Sequence, residues 1–380
     1  MKLTQDVINY LEESKEERNE LLRTLCQIPA PSGKEEKRVE FVKAWLENIG
    51  AKGVYVDSAK NVIYPVNCDG RDDITVFMAH TDVVFPDLTP LPFSEDEEKM
   101  YAPGIGDDTA CLVLLLMTIK YIVKNGLKPK NGILFVANSC EEGLGNLKGV
   151  RQIFKDYSGR IKELVTFDGG YKHVVDRCVG SHRYELTFTT IGGHSFGAFG
   201  NPNAIALMSE LITNLYKCQV PQKENCKTTY NVGIVQGGTS VNTIAQSAKM
   251  LYEYRSDDKE CMAYMENFFK AEVQKIRAQN KGEIEVKLIG DRPCGGEVDM
   301  DKLNALCEKV ISISQKHSGL DCARESGSTD ANIPQSLGIP AVCAGTHISG
   351  GTHTREEWVE KASLDIGSKI NAEIVLDYFD

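Results

Sequence analysis

The sequence predicts an α/β domain with a substantially parallel sheet, interrupted by a smaller α+β domain. Three observations carry this reading. Short runs rich in Val, Ile and Phe alternate with helical segments up to residue 179 and again after 293. Between them, residues 180–292 read β-α-β-β-α-β, the ferredoxin-like order. At 380 residues the chain also exceeds an ordinary single domain. The domain plan is therefore 1–179 with 293–380 for the main domain and 180–292 for the insert.

Each element has a local reason. Residues 4–28 place Val7, Ile8, Leu11, Leu21, Leu22 and Leu25 at helical spacing among charges, and a Pro-Ser-Gly turn at 31–33 ends them. A helix over about 35–49 stops at Gly50, and 54–56, 62–65 and 74–79 read as strands. Residues 109–124 form an apolar helix stopped by Asn125-Gly126. A strand at 133–137, a helix near 147–155 and a strand at 164–167 follow. In the insert, strands are expected near 184–188, 230–236, 249–255 and 283–289, with helices at about 203–217 and 257–279. The α/β texture returns with a helix near 300–317, a buried strand at 339–344 and a last helix at 361–378.

Composition removes several function classes. The 54 acids outnumber the 43 bases for a formal charge of −11, so neither a basic nucleic-acid footprint nor a polybasic membrane anchor is expected. Apolar residues make up 42 %, which excludes a mostly disordered chain. The longest apolar run, 110–117, is far short of a membrane span. The first residues carry no apolar stretch, so no secretion signal is expected. The twelve cysteines contain no Cys-x-x-Cys, and Cys111, Cys140, Cys218, Cys307 and Cys343 sit in apolar stretches. They read as reduced thiols of a cytoplasmic protein, so any metal must be held by imidazole and carboxylate.

Five spots share one position type, the end of a predicted strand or the loop beside it, where ligand sites of open α/β sheets collect. They are His80-Thr81-Asp82, Gly104-Ile105-Gly106-Asp107-Asp108, Cys140-Glu141-Glu142-Gly143, Asp168-Gly169-Gly170 and Gly350-Gly351-Thr352-His353. Each also has an ordinary reading. A strand-end histidine can be a polar loop residue, Asp108 and Thr109 can cap the helix that follows, Glu141-Glu142 can be a solvated pair, and Asp168 can be a turn residue. Together, two histidines and three carboxylates without thiolates suit two divalent ions such as Zn²⁺. Asp107 could bridge them, His80 and Asp168 complete one, and Glu142 and His353 the other. Asp82 is spaced to orient His80. Glu141 is the natural general base, moving a proton from water to a leaving amine.

In these motifs the chain resembles the co-catalytic zinc exopeptidases and deacylases that include peptidase T, glutamate carboxypeptidase and aminoacylase. AHTDVV, GIGDDTA, CEEGLGNLKG, TFDGG and GGTHTREEWV follow the family order His-x-Asp, Gly-x-x-Asp-Asp, Glu-Glu-x-x-Gly, Asp-Gly and a late His. The resemblance implies a three-layer zinc-peptidase catalytic domain with an inserted lid and dimerisation domain. It implies two Zn²⁺, with Co²⁺ and Mn²⁺ as alternatives, the same roles for His80, Asp82, Asp107, Glu141, Glu142, Asp168 and His353, and a homodimer. Gly192-Gly193-His194-Ser195 resembles the motif whose histidine reaches a partner subunit's site and stabilises the oxyanion; otherwise His194 is a turn histidine. Asn242 and Arg255 match regions where relatives hold substrate, and Arg suits a carboxylate through its fork, although a strand-end surface charge also fits. Gly327-Ser328-Thr329-Asp330 resembles a stretch near the substrate pocket but departs at Ser328, so no contact is assigned to it. His173, His182, His317 and His347 read as structural or surface residues.

The insert and the Phe-Asp-Gly-Gly form look nearest to peptidase T, which implies an aminopeptidase on di- and tripeptides. The alternative is an N-acyl-amino-acid amidohydrolase or a metallocarboxypeptidase. A non-catalytic scaffold is disfavoured by the complete set of acids and histidines. A serine hydrolase is disfavoured because Ser326 lacks the glycine two residues before it that a nucleophile elbow needs.

Overall fold

The computed structural model describes residues 3–380. They form two compact units, one containing the chain up to Cys178 together with Gly296–Asp380, the other Val179–Gly295.

The first unit is built on an eight-stranded mixed sheet. Its order is Tyr55–Val56, Val62–Val66, Gly132–Asn138, Ile74–His80, Ile161–Phe167, Ala341–Ala344, His173–Cys178 and Ala323–Gly327. The middle four strands are parallel, whereas the pairings at Val62–Val66 and between Ala341–Ala344 and His173–Cys178 are antiparallel. Ile74–His80 and Gly132–Asn138 are buried at every residue, as expected for parallel strands covered on both faces. On one face Phe77, Phe135 and Phe167 line up with stacked rings and meet the helix Ala110–Asn125 and the helix Lys361–Leu376. Met78, Val136 and Leu164 point the other way, toward Val150 and Ile153 of the helix Lys148–Asp156. The result is three layers. The helix Ala110–Asn125 is buried along most of its length and closes on Gly126 at φ 61°, a left-handed cap that glycine takes without strain.

The second unit has the ferredoxin-like plan. Strands Gly180–Thr189, Thr228–Gly237, Ser247–Ser256 and Glu283–Arg292 form one antiparallel sheet in which the first strand lies between the third and the last. Alternate residues Met250, Tyr252 and Tyr254 face the same core as Leu186 and Phe188. The helices Ala204–Leu215 and Lys259–Arg277 cover it with Leu207, Leu211, Met265 and Phe269.

Several local expectations are corrected. Residues 4–28 are two helices, Gln5–Glu13 and Lys15–Gln27, because the chain leaves helical geometry at Ser14. Neither Asp108 nor Thr109 caps the helix from Ala110, whose start has no side-chain cap. Strands His173–Cys178 and Ala323–Gly327 and a small sheet of Ser94–Glu95, Lys99–Tyr101, Ser349–Gly350 and Trp358–Glu360 were not expected. All twelve cysteines are free thiols. Among the described residues no helix is long and apolar enough to cross a membrane.

Candidate functional site

Three of the five expected metal ligands sit where parallel strands end. His80 closes Ile74–His80 and pairs in register with Asn138, the last residue of Gly132–Asn138, after which Glu141 and Glu142 follow in a short turn. Asp168 follows Ile161–Phe167. The other two reach the site from the small sheet: Asp107 lies in the loop after Lys99–Tyr101, and His353 lies between Ser349–Gly350 and Trp358–Glu360. Because Trp358–Glu360 pairs with Lys99–Tyr101, both loops leave one small platform.

Asp107 stands between the two histidines. Its Oδ1 is 3.0 Å from His80 Nε2 and its Oδ2 is 3.0 Å from His353 Nε2. His353 Nε2 is also 3.1 Å from Glu142 Oε1. His80, Asp107 and Glu142 each offer one donor atom, all within 4.8 Å of one another. Asp168 joins through its charge: burial, then the Asp107 carboxylate, push its pKa well above the ordinary range.

The charges of this cluster are out of balance. Burial pushes Glu142 up to about 7, even though its hydrogen bond to His353 lowers it. His353 rises to about 10 on its bonds to Asp107 and Glu142. Burial opposes charge on His80, but Asp107 and Asp82 outweigh it and hold the imidazole well above its usual value. Packed carboxylates that draw protons onto themselves and onto their imidazoles are calling for cation charge. The donors are imidazole and carboxylate, with no cysteine thiolate among them, a set that fits two divalent ions of the zinc type. Asp107, with one oxygen toward each histidine, has the geometry of a bridging ligand.

A supporting layer holds these groups. His80 Nδ1 lies 3.0 Å from the Asp82 carbonyl oxygen and 3.4 Å from its carboxylate. The Asp82 carboxylate does more than face this ring. It accepts from the backbone N–H of Glu141 and Glu142 at 3.0 and 2.9 Å and from Ser32 Oγ at 2.6 Å, which pins the Glu141-Glu142 turn. Asp108, expected as a cap, accepts from the His80 N–H at 3.0 Å.

Four supporting residues escaped the sequence reading. Glu357 accepts from the backbone N–H of Gly104, Gly106 and Asp107 at 3.1, 2.8 and 2.8 Å and so grips the Asp107 loop. Glu35 accepts from Gly33 and Cys140 N–H, and Ser32 bonds Asp82. Arg38 is fully buried and donates to Thr81 O, Thr109 Oγ1, Leu25 O and Ile28 O. A signal for Arg38 was present: it shares the i, i+4, i+8 face with buried Val42 and Leu46, where a charge needs partners. His347, six residues before His353, is buried against Cys111 at 3.6 Å, and burial lowers its pKa to about 4.

The three remaining candidates lie in the second unit. His194 is exposed, and its Nδ1 accepts from Phe196 and Gly197 N–H, both at 3.2 Å, so its proton sits on Nε2. Asn242 accepts from Ser240 Oγ at 2.8 Å, and its carbonyl holds the Ser195 N–H at 3.0 Å. Arg255 pairs with Glu253 two residues earlier on the same sheet face, at 3.0 and 3.1 Å.

The model of peptidase family M20/M25/M40 matches residues 76–377, most of the chain. The chain belongs to this family. Among curated M20-type relatives, it is 23 % identical over 347 residues to a succinyl-diaminopimelate desuccinylase of Corynebacterium glutamicum, covering 89 % of this chain and 90 % of the relative. Among solved structures, a tripeptidase of Staphylococcus aureus superposes with a TM-score of 0.75 at 21 % identity, covering 95 % and 97 % of the two chains. A dinuclear metal-binding M20 peptidase of Bacillus subtilis superposes with a TM-score of 0.67 at 16 % identity, over 97 % and 99 %. At these identities the superpositions speak for the M20 fold, a catalytic domain with an inserted domain. As an M20 member the chain is a hydrolase of amide or peptide bonds, and among its described residues His80, Asp107 and Glu142 form a group that could hold a metal ion.

Proposed function

We propose that this M20 hydrolase is a dinuclear zinc aminopeptidase of the peptidase T kind, cleaving di- and tripeptides in the cytoplasm as a homodimer. The observation that carries the reading is Asp107, with one carboxylate oxygen directed to each of two histidines. His80 with Asp168, and His353 with Glu142, would hold one ion each about that bridge. When bound, the ions would polarise the scissile carbonyl and acidify the attacking water. Glu141 then takes a proton from water as its oxygen bonds to the carbonyl carbon. When the C–N bond breaks, Glu141 returns that proton to the departing amine. Asp82 keeps this base in place by holding its backbone N–H. Twelve free thiols support a reducing compartment.

A tripeptide panel blocked in turn at each end tests the substrate class. Cleavage that needs a free α-amine is expected. Cleavage of N-acylated substrates alone would replace the reading with the deacylase alternative, which the relationship to a desuccinylase supports.

In this reading His194 serves the site of a second subunit, donating from Nε2 to the oxyanion. Asn242 and Arg255 hold the substrate backbone or carboxylate. Mixing His194→Ala with Glu141→Ala protein should then recover part of the activity, because hybrid dimers contain one intact site. No recovery despite demonstrated subunit exchange removes the shared-site arrangement.

A further inference from the structure

The Gly327-Ser328-Thr329-Asp330 turn has no role in the reading above, yet it carries a buried acid beside the site. Asp330 is 1 % exposed and Asn138 0 %. Asn138 Nδ2 donates to Asp330 Oδ2 at 2.6 Å. The second oxygen of each group, Asp330 Oδ1 and Asn138 Oδ1, is buried with no hydrogen-bond partner. Two unpaired acceptors on two bonded groups cannot relieve each other while Asp330 is a carboxylate, because neither oxygen carries a proton. One proton on Asp330 changes this. Its O–H can donate to the Asn138 amide oxygen while the Asn138 N–H donates back, and both orphans are paired in one cyclic acid–amide contact. Exchanging the oxygen and nitrogen of Asn138 leaves the same requirement, because the amide oxygen would then face Asp330 Oδ2.

We propose that Asp330 is an un-ionised carboxylic acid in the folded enzyme and a positioning residue that fixes Asn138 through this pair. Asn138 is a useful peg to fix. Its carbonyl oxygen accepts from both the N–H and the Oγ1 of Thr81, at 2.7 and 2.9 Å, between His80 and Asp82. Its own chain runs on three residues to Glu141. Holding the Asn138 side chain from the 327–330 turn therefore steadies two of the segments that make the site. The groups around Asp330 favour the neutral form. Burial pushes its pKa up to about 8, Glu141 and Asp82 adding to the rise and His80 opposing it. The Cys343 thiol on Ala341–Ala344 is another titratable neighbour. A neutral acid here also spares Glu141 another negative charge.

Asp330→Asn tests this, since it keeps the shape and replaces the acid O–H with an N–H donor. In the infrared difference between the metal-loaded parent and this variant, well below pH 8, the carbonyl band of an un-ionised carboxyl should appear for the parent alone. Melting gives a second readout. A folded pKa raised above the unfolded one makes a stabilising contribution that is complete at low pH and lost as pH rises from the ordinary aspartate range to about 8. Asparagine has no such loss. The melting temperature of Asp330→Asn minus that of the parent should therefore grow across this window and level off above it. A missing band with a pH-independent difference overturns the neutral acid.

The positioning role rests on the proposed part of Glu141, and is read from kcat/KM. Asp330→Asn should stay near the parent, whereas Asp330→Ala should lose about tenfold or more. Equal loss in both overturns it. If Asp330→Ala does not fold, Asp330→Asn decides alone: activity near the parent upholds the role, and a loss of about tenfold or more overturns it. The infrared and melting readouts need no turnover, so a wrong substrate class leaves them intact.

Discussion

Glu141→Ala is expected to leave metal content near that of the parent and to lower kcat by roughly a thousandfold or more. The two halves of this result have different origins. In the proposed reading the metal is held by His80, Asp107, Glu142, Asp168 and His353, and the substitution removes none of them. The turn that presents Glu142 is held through backbone N–H groups by Asp82, so it survives loss of the Glu141 side chain. Catalysis, by contrast, needs a group that gains a proton in one step and releases it to nitrogen in the next, and alanine can do neither. Glu141 is 4 % exposed, so bulk water is a poor substitute base there. Metal analysis of the purified variant beside steady-state kinetics on a tripeptide checks both halves. Turnover within about tenfold of the parent would take Glu141 out of the proton path.

The site was legible where local pattern carries chemistry. A polar motif that interrupts an apolar run at a strand end stands out, and His80-Thr81-Asp82, Glu141-Glu142 and Asp168 all follow buried strands. The two-layered roles were harder to read. Asp108 follows the helix-capping rule by sequence, yet its carboxylate serves the N–H of His80, 28 residues earlier, because the strand end and the loop are brought together only by the fold. Asp82 was read as a partner for the His80 ring from a spacing of two, and the structure adds three donors from Ser32, Glu141 and Glu142 that no spacing records. The missed strand Ala323–Gly327 has no apolar alternation: ARESG is exposed along its first three residues, and it forms by pairing at the edge of an existing sheet. In the insert the alternation was strong, and there the strand and helix order was readable without tertiary help.

Glu357→Ala should weaken zinc binding by about 10- to 100-fold, although Glu357 is outside the proposed ligand set. It is 1 % exposed, and its carboxylate is the shared acceptor for three backbone N–H groups of the loop that presents Asp107. Removing it leaves those three donors buried and unpaired, at about 1–3 kcal/mol each before water enters. The loop has little freedom to find other partners. Gly104 sits at φ 73°, and a Cβ built there would lie 2.3 Å from Val83 Cγ1, so the chain is already pressed against its neighbour. The loss should therefore appear as a displaced Asp107, and through Asp107 at both ions. Glu357→Gln keeps one acceptor oxygen and should fall between the parent and Glu357→Ala. Competition with a chromophoric chelator measures the affinity, and melting of the chelator-treated proteins separates a general loss of stability from a loss of metal positioning. A chain with two metals held through one bridging carboxylate should be most sensitive where the backbone under that bridge is fixed. Parent-like zinc affinity in a folded Glu357→Ala protein would show that the Asp107 loop keeps its shape without this acceptor.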